Sequence, residues 1–282
     1  MLDHLWDDIA ALAACSLTSR TWLPTVRLHL FDTITIAGLG RLEGFLTLLE
    51  HQCPSLGSIA PYVRSLSMDM QETSWYIDEK GRPRVAGHSY SEQENTVGAT
   101  DSNHPILRVS KQLQNLRSLV LKDVYDVRPM FKEETGKPSL SIFLQLETIR
   151  LQNIGFNHLG QLVELVQASP KLTAISFRNV TWPAVHLGHC PQDAWIVNRA
   201  AAHKSSAIIQ DLEFAACLNS VTSTIIQGLF TPSFKLHLRV LSIRAFDVNT
   251  FSTLLSSNAC HTLESLRVDY CHSLHQEGGQ SF

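Results

Sequence analysis

The chain has 282 residues, of which 44% are hydrophobic and 17% charged, with a net charge of −3. Enough apolar residues are present for a sizeable core, and a disordered or highly charged chain is excluded. The near-neutral balance selects neither nucleic acid nor an anionic membrane, and no apolar run approaches the ~20 residues that span a bilayer.

The N-terminus, MLDHLWDDIAALAACSLTSR, lacks a basic segment before its apolar stretch and carries Asp3, Asp7 and Asp8, so it does not read as a secretion signal. The six cysteines never form a CxxC pair, and a chain without an export signal is expected to keep them reduced in the cytoplasm or nucleus.

Residues 1–30 are predicted to be helical, with Asp7 or Asp8 as a cap, Arg20 in the last turn and Pro24 as a break. A second short helix is expected over Val26–Leu30. Phe31–Ile36 alternates apolar and polar residues and reads as a strand, Leu39–His51 as a helix closed by Pro54, and Val63–Met68 as a further strand. From Gln71 to Pro105 the rhythm stops. Trp75–Val85 suits a hairpin, and Ser89–His104 has almost no apolar residues, so 71–105 reads as a polar insertion.

Beyond it a nine-residue phrase recurs, with apolar residues at its first, fourth, sixth and ninth places. It reads LRSLVLKDV from Leu116, LETIRLQNI from Leu146, LTAISFRNV from Leu172, IQDLEFAAC from Ile209, LRVLSIRAF from Leu238 and LESLRVDYC from Leu263. The starts lie 30, 26, 37, 29 and 25 residues apart. Phe31 and Val63 open weaker copies, which makes about eight units. Leu159–Ala168, Val221–Phe230 and Val248–Ser256 have apolar residues at helical spacing between the phrases. The fourth and sixth places of a strand point to one face, and one unit cannot cover that face alone, so neighbours must stack.

One short parallel strand plus one helix per 25–37 residues resembles the leucine-rich-repeat plan. The expected fold class is therefore α/β, a leucine-rich-repeat-like solenoid preceded by a small helical segment. The ninth place in that plan is Asn or Cys. Here it is Val124, Ile154, Val180, Cys217, Phe246 and Cys271, so two of six match the cysteine variant.

The opening residues resemble the F-box. Leu5 fits the end of its first helix, Asp7 and Asp8 its acidic turn, Leu12, Cys15 and Leu17 its middle helix, and Arg20-x-Trp22 its ending. The whole is similar to fungal F-box proteins with a leucine-rich array. The family's apolar-Pro-x-Glu segment, about ten residues before the position of Leu5, is absent from the sequence, so the resemblance is to an N-terminally truncated F-box. It implies 1–30 as partial F-box helices, 31–70 as first repeats, 71–105 as insertion and 106–282 as solenoid. It also implies a non-catalytic substrate receptor of a cullin–RING ubiquitin ligase, monomeric outside the complex. Leu5, Leu12, Cys15, Leu17 and Trp22 would line the contact with the Skp adaptor or the small core behind it, and the repeats would hold a protein substrate. Trp22 could equally fill the joint between the helices and the first repeat. The alternative is a repeat scaffold that has lost adaptor binding.

The third, fifth and seventh places of each phrase are expected on the concave side. There they present Lys122, Arg150, Gln152, Arg178, Arg244, Arg267 and Asp269, a basic stripe interrupted by Asp211 and Glu213. Such a face suits an acidic segment of a target. The spacings His186-x-x-His189-Cys190 and Cys271-His272-x-x-His275 lack a second ligand pair, so no metal is expected. No phosphate loop, nucleophile elbow or paired-carboxylate motif appears, and neither an enzyme nor a cofactor is expected.

Overall fold

The computed structural model describes residues 7–50, 57–70, 75–77, 83–85, 105–124, 144–156, 159–181, 208–217, 221–222, 224–226, 235–244 and 261–269. Its helices are α1 (Ile9–Thr18), α2 (Leu23–Phe31), α3 (Leu39–Glu50), α4 (Pro105–Gln112) and α5 (Leu159–Gln167). Its strands are β1 (Thr33–Ala37), β2 (Ser65–Asp69), β3 (Trp75–Ile77), β4 (Pro83–Val85), β5 (Ser118–Lys122), β6 (Thr148–Gln152), β7 (Ala174–Arg178), β8 (Ile208–Ala215), β9 (Lys235–Arg244) and β10 (Ser265–Asp269).

The protein is α/β. One open sheet, all parallel, holds eight strands in chain order, β1-β2-β5-β6-β7-β8-β9-β10. β3 and β4 form a separate antiparallel pair, with Trp75 opposite Val85. The hairpin expected within 75–85 is therefore present, while 86–104 lies outside the described residues.

The recurring phrase explains the sheet. In register across it run Leu66, Leu119, Ile149, Ile175 and Leu212 at the fourth place, and Met68, Leu121, Leu151, Phe177 and Phe214 at the sixth. All are buried. Each such side chain contributes roughly 1.5–3 kcal/mol on leaving water. Phe177 and Phe214 stack with ring centroids 5.2 Å apart. The first place is buried as well, from Val63 through Leu116, Leu146, Leu172 and Ile209 to Leu238. Helices cover the same core with Leu42, Leu46 and Leu49 from α3, Val109 from α4 and Leu162, Val163, Leu165 and Val166 from α5.

Hydrogen bonds pin β2, β5, β6 and β7 at both ends. At the start, successive N–H groups converge on one carbonyl of the preceding unit. Arg64 and Ser65 donate to Asp32 O, Arg117 and Ser118 to Arg64 O, and Glu147 and Thr148 to Arg117 O, all at 2.7–2.9 Å. At the end, the eighth-place N–H donates to the seventh-place carbonyl of the next strand: Gly38 to Asp69, Asp123 to Gln152, Asn153 to Arg178 and Asn179 to Ala215, at 2.8–3.0 Å. The chain turns left-handed there, with φ of 80° at Gly38, 56° at Asp123, 52° at Asn153, 50° at Asn179 and 53° at Ala216. Gly, Asn and Asp tolerate this conformation better than other residues do. Their side chains add a ladder: Asn153 Nδ2 donates to Asp123 Oδ1 at 2.7 Å, and Asn179 Nδ2 to Asn153 Oδ1 at 2.9 Å. The asparagines thus sit at the eighth place rather than the ninth. Val124, Ile154, Val180 and Cys217 at the ninth are buried, and Phe246 and Cys271 lie outside the described residues.

Asp8 caps α1, its Oδ1 accepting from Ala11 N at 2.8 Å. Three expectations for this region need correction. Arg20 falls in a 3-10 turn, Arg20–Trp22, after α1 has ended at Thr18. Pro24 breaks nothing: it lies in the first turn of α2, where its missing N–H has no helical partner to lose. Phe31 ends that helix instead of opening a strand, yet still packs against the core. α4 was not foreseen. Pro105 starts it, Val109 anchors it and Arg108 grips Glu50 of α3 with Nη2–O distances of 2.6 Å.

Two substitutions test the strand ends. Asn153→Ala removes two side-chain hydrogen bonds and the polar side chain that makes a positive φ tolerable, so unfolding by denaturant should show a loss of about 2–4 kcal/mol. Ala216→Gly relieves the same strain at an exposed position and should stabilise by up to about 1 kcal/mol. A destabilised Ala216→Gly protein would contradict the left-handed assignment.

Candidate functional site

The strands that bury their fourth and sixth places turn the third, fifth and seventh to the opposite face. Register aligns these into rows. The third-place row runs Thr33, Ser65, Ser118, Thr148, Ala174, Asp211, Val240, Ser265. The fifth-place row runs Thr35, Ser67, Val120, Arg150, Ser176, Glu213, Ser242, Arg267. The seventh-place row runs Ala37, Asp69, Lys122, Gln152, Arg178, Ala215, and further on Arg244 faces Asp269 across β9 and β10.

The face is hollow. A depression of about 420 Å³ crosses β6 to β10 over Thr148, Arg150, Ser176, Asp211, Glu213, Ser242 and Arg267. A second, of about 370 Å³, lies over Val120, Lys122, Arg150, Gln152, Ser176, Arg178 and Glu213. Both are open; the first mixes charged and hydroxyl side chains with apolar ones such as Leu212 and Val240, and the second is mainly polar, which suits a chain laid across the sheet better than a small apolar ligand.

Charge is handled differently at the strand starts and on the face. At the second place cations meet acids of the adjacent unit: Arg64 Nε lies 3.8 Å from Asp32 Oδ1, Arg117 Nη1 3.6 Å from Glu147 Oε1 and Arg239 Nε 3.0 Å from Glu264 Oε2. On the face, the side chains of Lys122, Arg150 and Arg178 have no such partner among the described residues. Arg150 and Arg178 are exposed, and Lys122 and Gln152 half-buried. Glu213 is half-buried and accepts from Ser176 Oγ at 2.9 Å. The sheet therefore brings Lys122, Arg150, Gln152 and Arg178 around one hollow. Arg267 stands four strands beyond Arg150.

The N-terminal candidates separate. Leu12 is fully buried, in a small core with Val26 that stands apart from the main cluster. Cys15 is half-buried. Leu17 is 89% exposed and Trp22 42%. Leu5 lies outside the described residues, as do both histidine spacings.

Cys217 faces the other way, into the core. Burial pushes its thiol above the ordinary value, outweighing backbone hydrogen bonds at Val180, Asn179 and Ala215 that act in the opposite sense. It packs as a small apolar group with Sγ 3.7 Å from Ala215 O. No helix among the described residues is long and apolar enough to cross a membrane. The chain matches no family model, and no curated protein or solved structure matches it.

The acidic interruption at Asp211 and Glu213 is legible in the phrases; the register adds that Ser176 and Ser242 stand between the charges of the fifth-place row. The chemistry of Cys217 gives a test. Iodoacetamide should leave Cys217 unmodified in the folded protein and label it once unfolded, as read by peptide mass mapping. Labelling of Cys217 at the rate of a free thiol would remove it from the core.

Proposed function

We propose that this protein is a non-catalytic receptor in which a leucine-rich-repeat-like solenoid holds a protein partner on its hollow face and the N-terminal helices dock on a Skp-type adaptor of a cullin–RING ubiquitin ligase. Sequential parallel strands, of which β2 and β5 to β9 bury the same fourth and sixth places of the phrase, support the solenoid. The observation that carries the partner-binding half is the set of cations, Lys122, Arg150 and Arg178, around one hollow, none in an ion pair among the described residues. Cations outside ion pairs keep more of their field for a ligand than paired ones do. The adaptor half rests on the F-box likeness and on two large apolar side chains that reach solvent, Leu17 on α1 and, in part, Trp22 in the turn after it.

The burial of Leu12 favours a second reading, a scaffold without adaptor binding. With Leu12 committed to the local core, less apolar surface remains for docking. Co-expression with a Skp-type adaptor decides between the two. A stable complex in size-exclusion chromatography, lost on Leu17→Asp with an unchanged melting temperature, is expected of the receptor. Clean absence of any complex leaves the scaffold. In either case Arg150→Glu with Arg178→Glu should weaken a face-bound partner at least about tenfold, since each reversal turns an attraction into a repulsion of ~1 kcal/mol or more. Partner affinity untouched by that double change would remove the face from binding.

A further inference from the structure

The fifth-place row alternates. From β6 to β10 it reads Arg150, Ser176, Glu213, Ser242, Arg267, so a charge of changing sign stands on every second strand, with a serine between. The same five residues share one depression. Neighbouring residues reinforce the pattern. Arg178 lies near Arg150 in the adjoining hollow, and Asp211 shares β8 with Glu213. The serines are small, so the charged side chains rise from a trough with room between them. Arg150 and Glu213 do not neutralise each other in an ion pair.

Spacing decides what fits. Strands in a sheet stand about 4.8 Å apart, so like positions two strands apart lie about 9.6 Å from one another. A β-strand laid across the trough presents one face every two residues, about 6.6 Å, and falls out of step at once. An α-helix returns to the same face after seven residues, about 10.5 Å, and drifts by nearly 2 Å over the two intervals. A polyproline II segment has three residues per turn at about 3.1 Å each, so residues i, i+3 and i+6 share one face at about 9.3 Å intervals. That period matches the row.

We infer that the trough selects a polyproline II segment of a partner protein bearing acid-x-x-base-x-x-acid, the central base over Glu213 and the flanking acids over Arg150 and Arg267. The inference rests on the reading of this face as the partner-binding surface. It narrows that reading from an acidic segment to one of fixed spacing and alternating sign. Opposite charges draw the ligand in, and the alternation rejects uniformly acidic or basic chains through like-charge contacts. The intervening x positions tolerate proline, which stiffens the segment and lowers the entropy lost on binding.

A random peptide library displayed against the purified full chain tests this. Enriched sequences should carry acid-x-x-base-x-x-acid. Moving the base of the best synthetic peptide by one position, at constant composition, should weaken binding at least tenfold. Raising the salt from 50 to 300 mM should weaken it further. Glu213→Lys should switch selection to acid-x-x-acid-x-x-acid. Should that variant not fold, Glu213→Gln retains the oxygen that Ser176 bonds and should lower the preference for the central base at least threefold. Peptides that lose binding on Arg150→Glu but carry spacings of two or seven, or no fixed spacing, overturn the motif and leave the face as the binding surface. Peptides indifferent to both Arg150→Glu and Glu213→Lys overturn the face reading as well. A selection that enriches nothing overturns the motif.

Discussion

Everything in this protein depends on strict register between parallel strands. A slip of one residue would carry the fourth and sixth places into solvent and bury the fifth. The register is pinned at both ends. Two N–H groups converge on one carbonyl at the starts of β2 and β5 to β7, and one N–H reaches the next strand at the left-handed turns that close β1, β5, β6 and β7. Between these pins the apolar columns fall into line, and Phe177 can stack on Phe214. The rows on the other face follow from the same constraint, because their residues are the ones the core leaves out.

Arginine shows how position alone sets the use of a side chain. At the second place, Arg64, Arg117 and Arg239 each find an acid on the adjoining unit. These exposed pairs each contribute roughly 0.2–1 kcal/mol and help neighbouring units hold together. At the fifth place Arg150 has Val120 and Ser176 beside it in register, and at the seventh Arg178 has Gln152 and Ala215. No acid stands within one strand in those rows. The same residue type therefore serves cohesion at the rim and remains available on the face.

Much of the fold was legible because the apolar places recur in phrases, and the phrases became successive strands of one parallel sheet. Strands β5 to β10 fall on the phrases, and α3 and α5 on the helical spacings. What escaped notice has physical reasons. α4 is short, eight residues, too few to read as a helix alone, although its apolar residues fall on one side and were an available signal. Pro24 reads as a breaker because its ring blocks a helix interior, but the first turn has no such conflict. Phe31 stayed helical since its burial could be met from either element. The eighth-place ladder was hidden by attention to the ninth. Asp123, Asn153 and Asn179 stand in one column of the phrase, and their tolerance of positive φ was the available signal. On the candidate site, the basic column and its interruption at Asp211 and Glu213 were legible in the phrases, whereas the distances between those charges were not, because spacing between strands is a property of the sheet.

The array changes character at β8. The polar ladder reaches Asn179 and stops, since the next eighth place is Ala216. The pairing with β9 shifts register between Ile209 and Asp211, and both strands run longer than the five residues of β5 to β7. Such irregularities bend a strand and re-aim its side chains. The face changes sign at the same strand, from Arg150 and Arg178 to Asp211 and Glu213. Asp211 lies at the shift itself, so a change that restored regular pairing there would also move the carboxylates relative to Arg150. The irregular strand is thus tied to the charge pattern: it sits where a ligand crossing the sheet would meet the reversal.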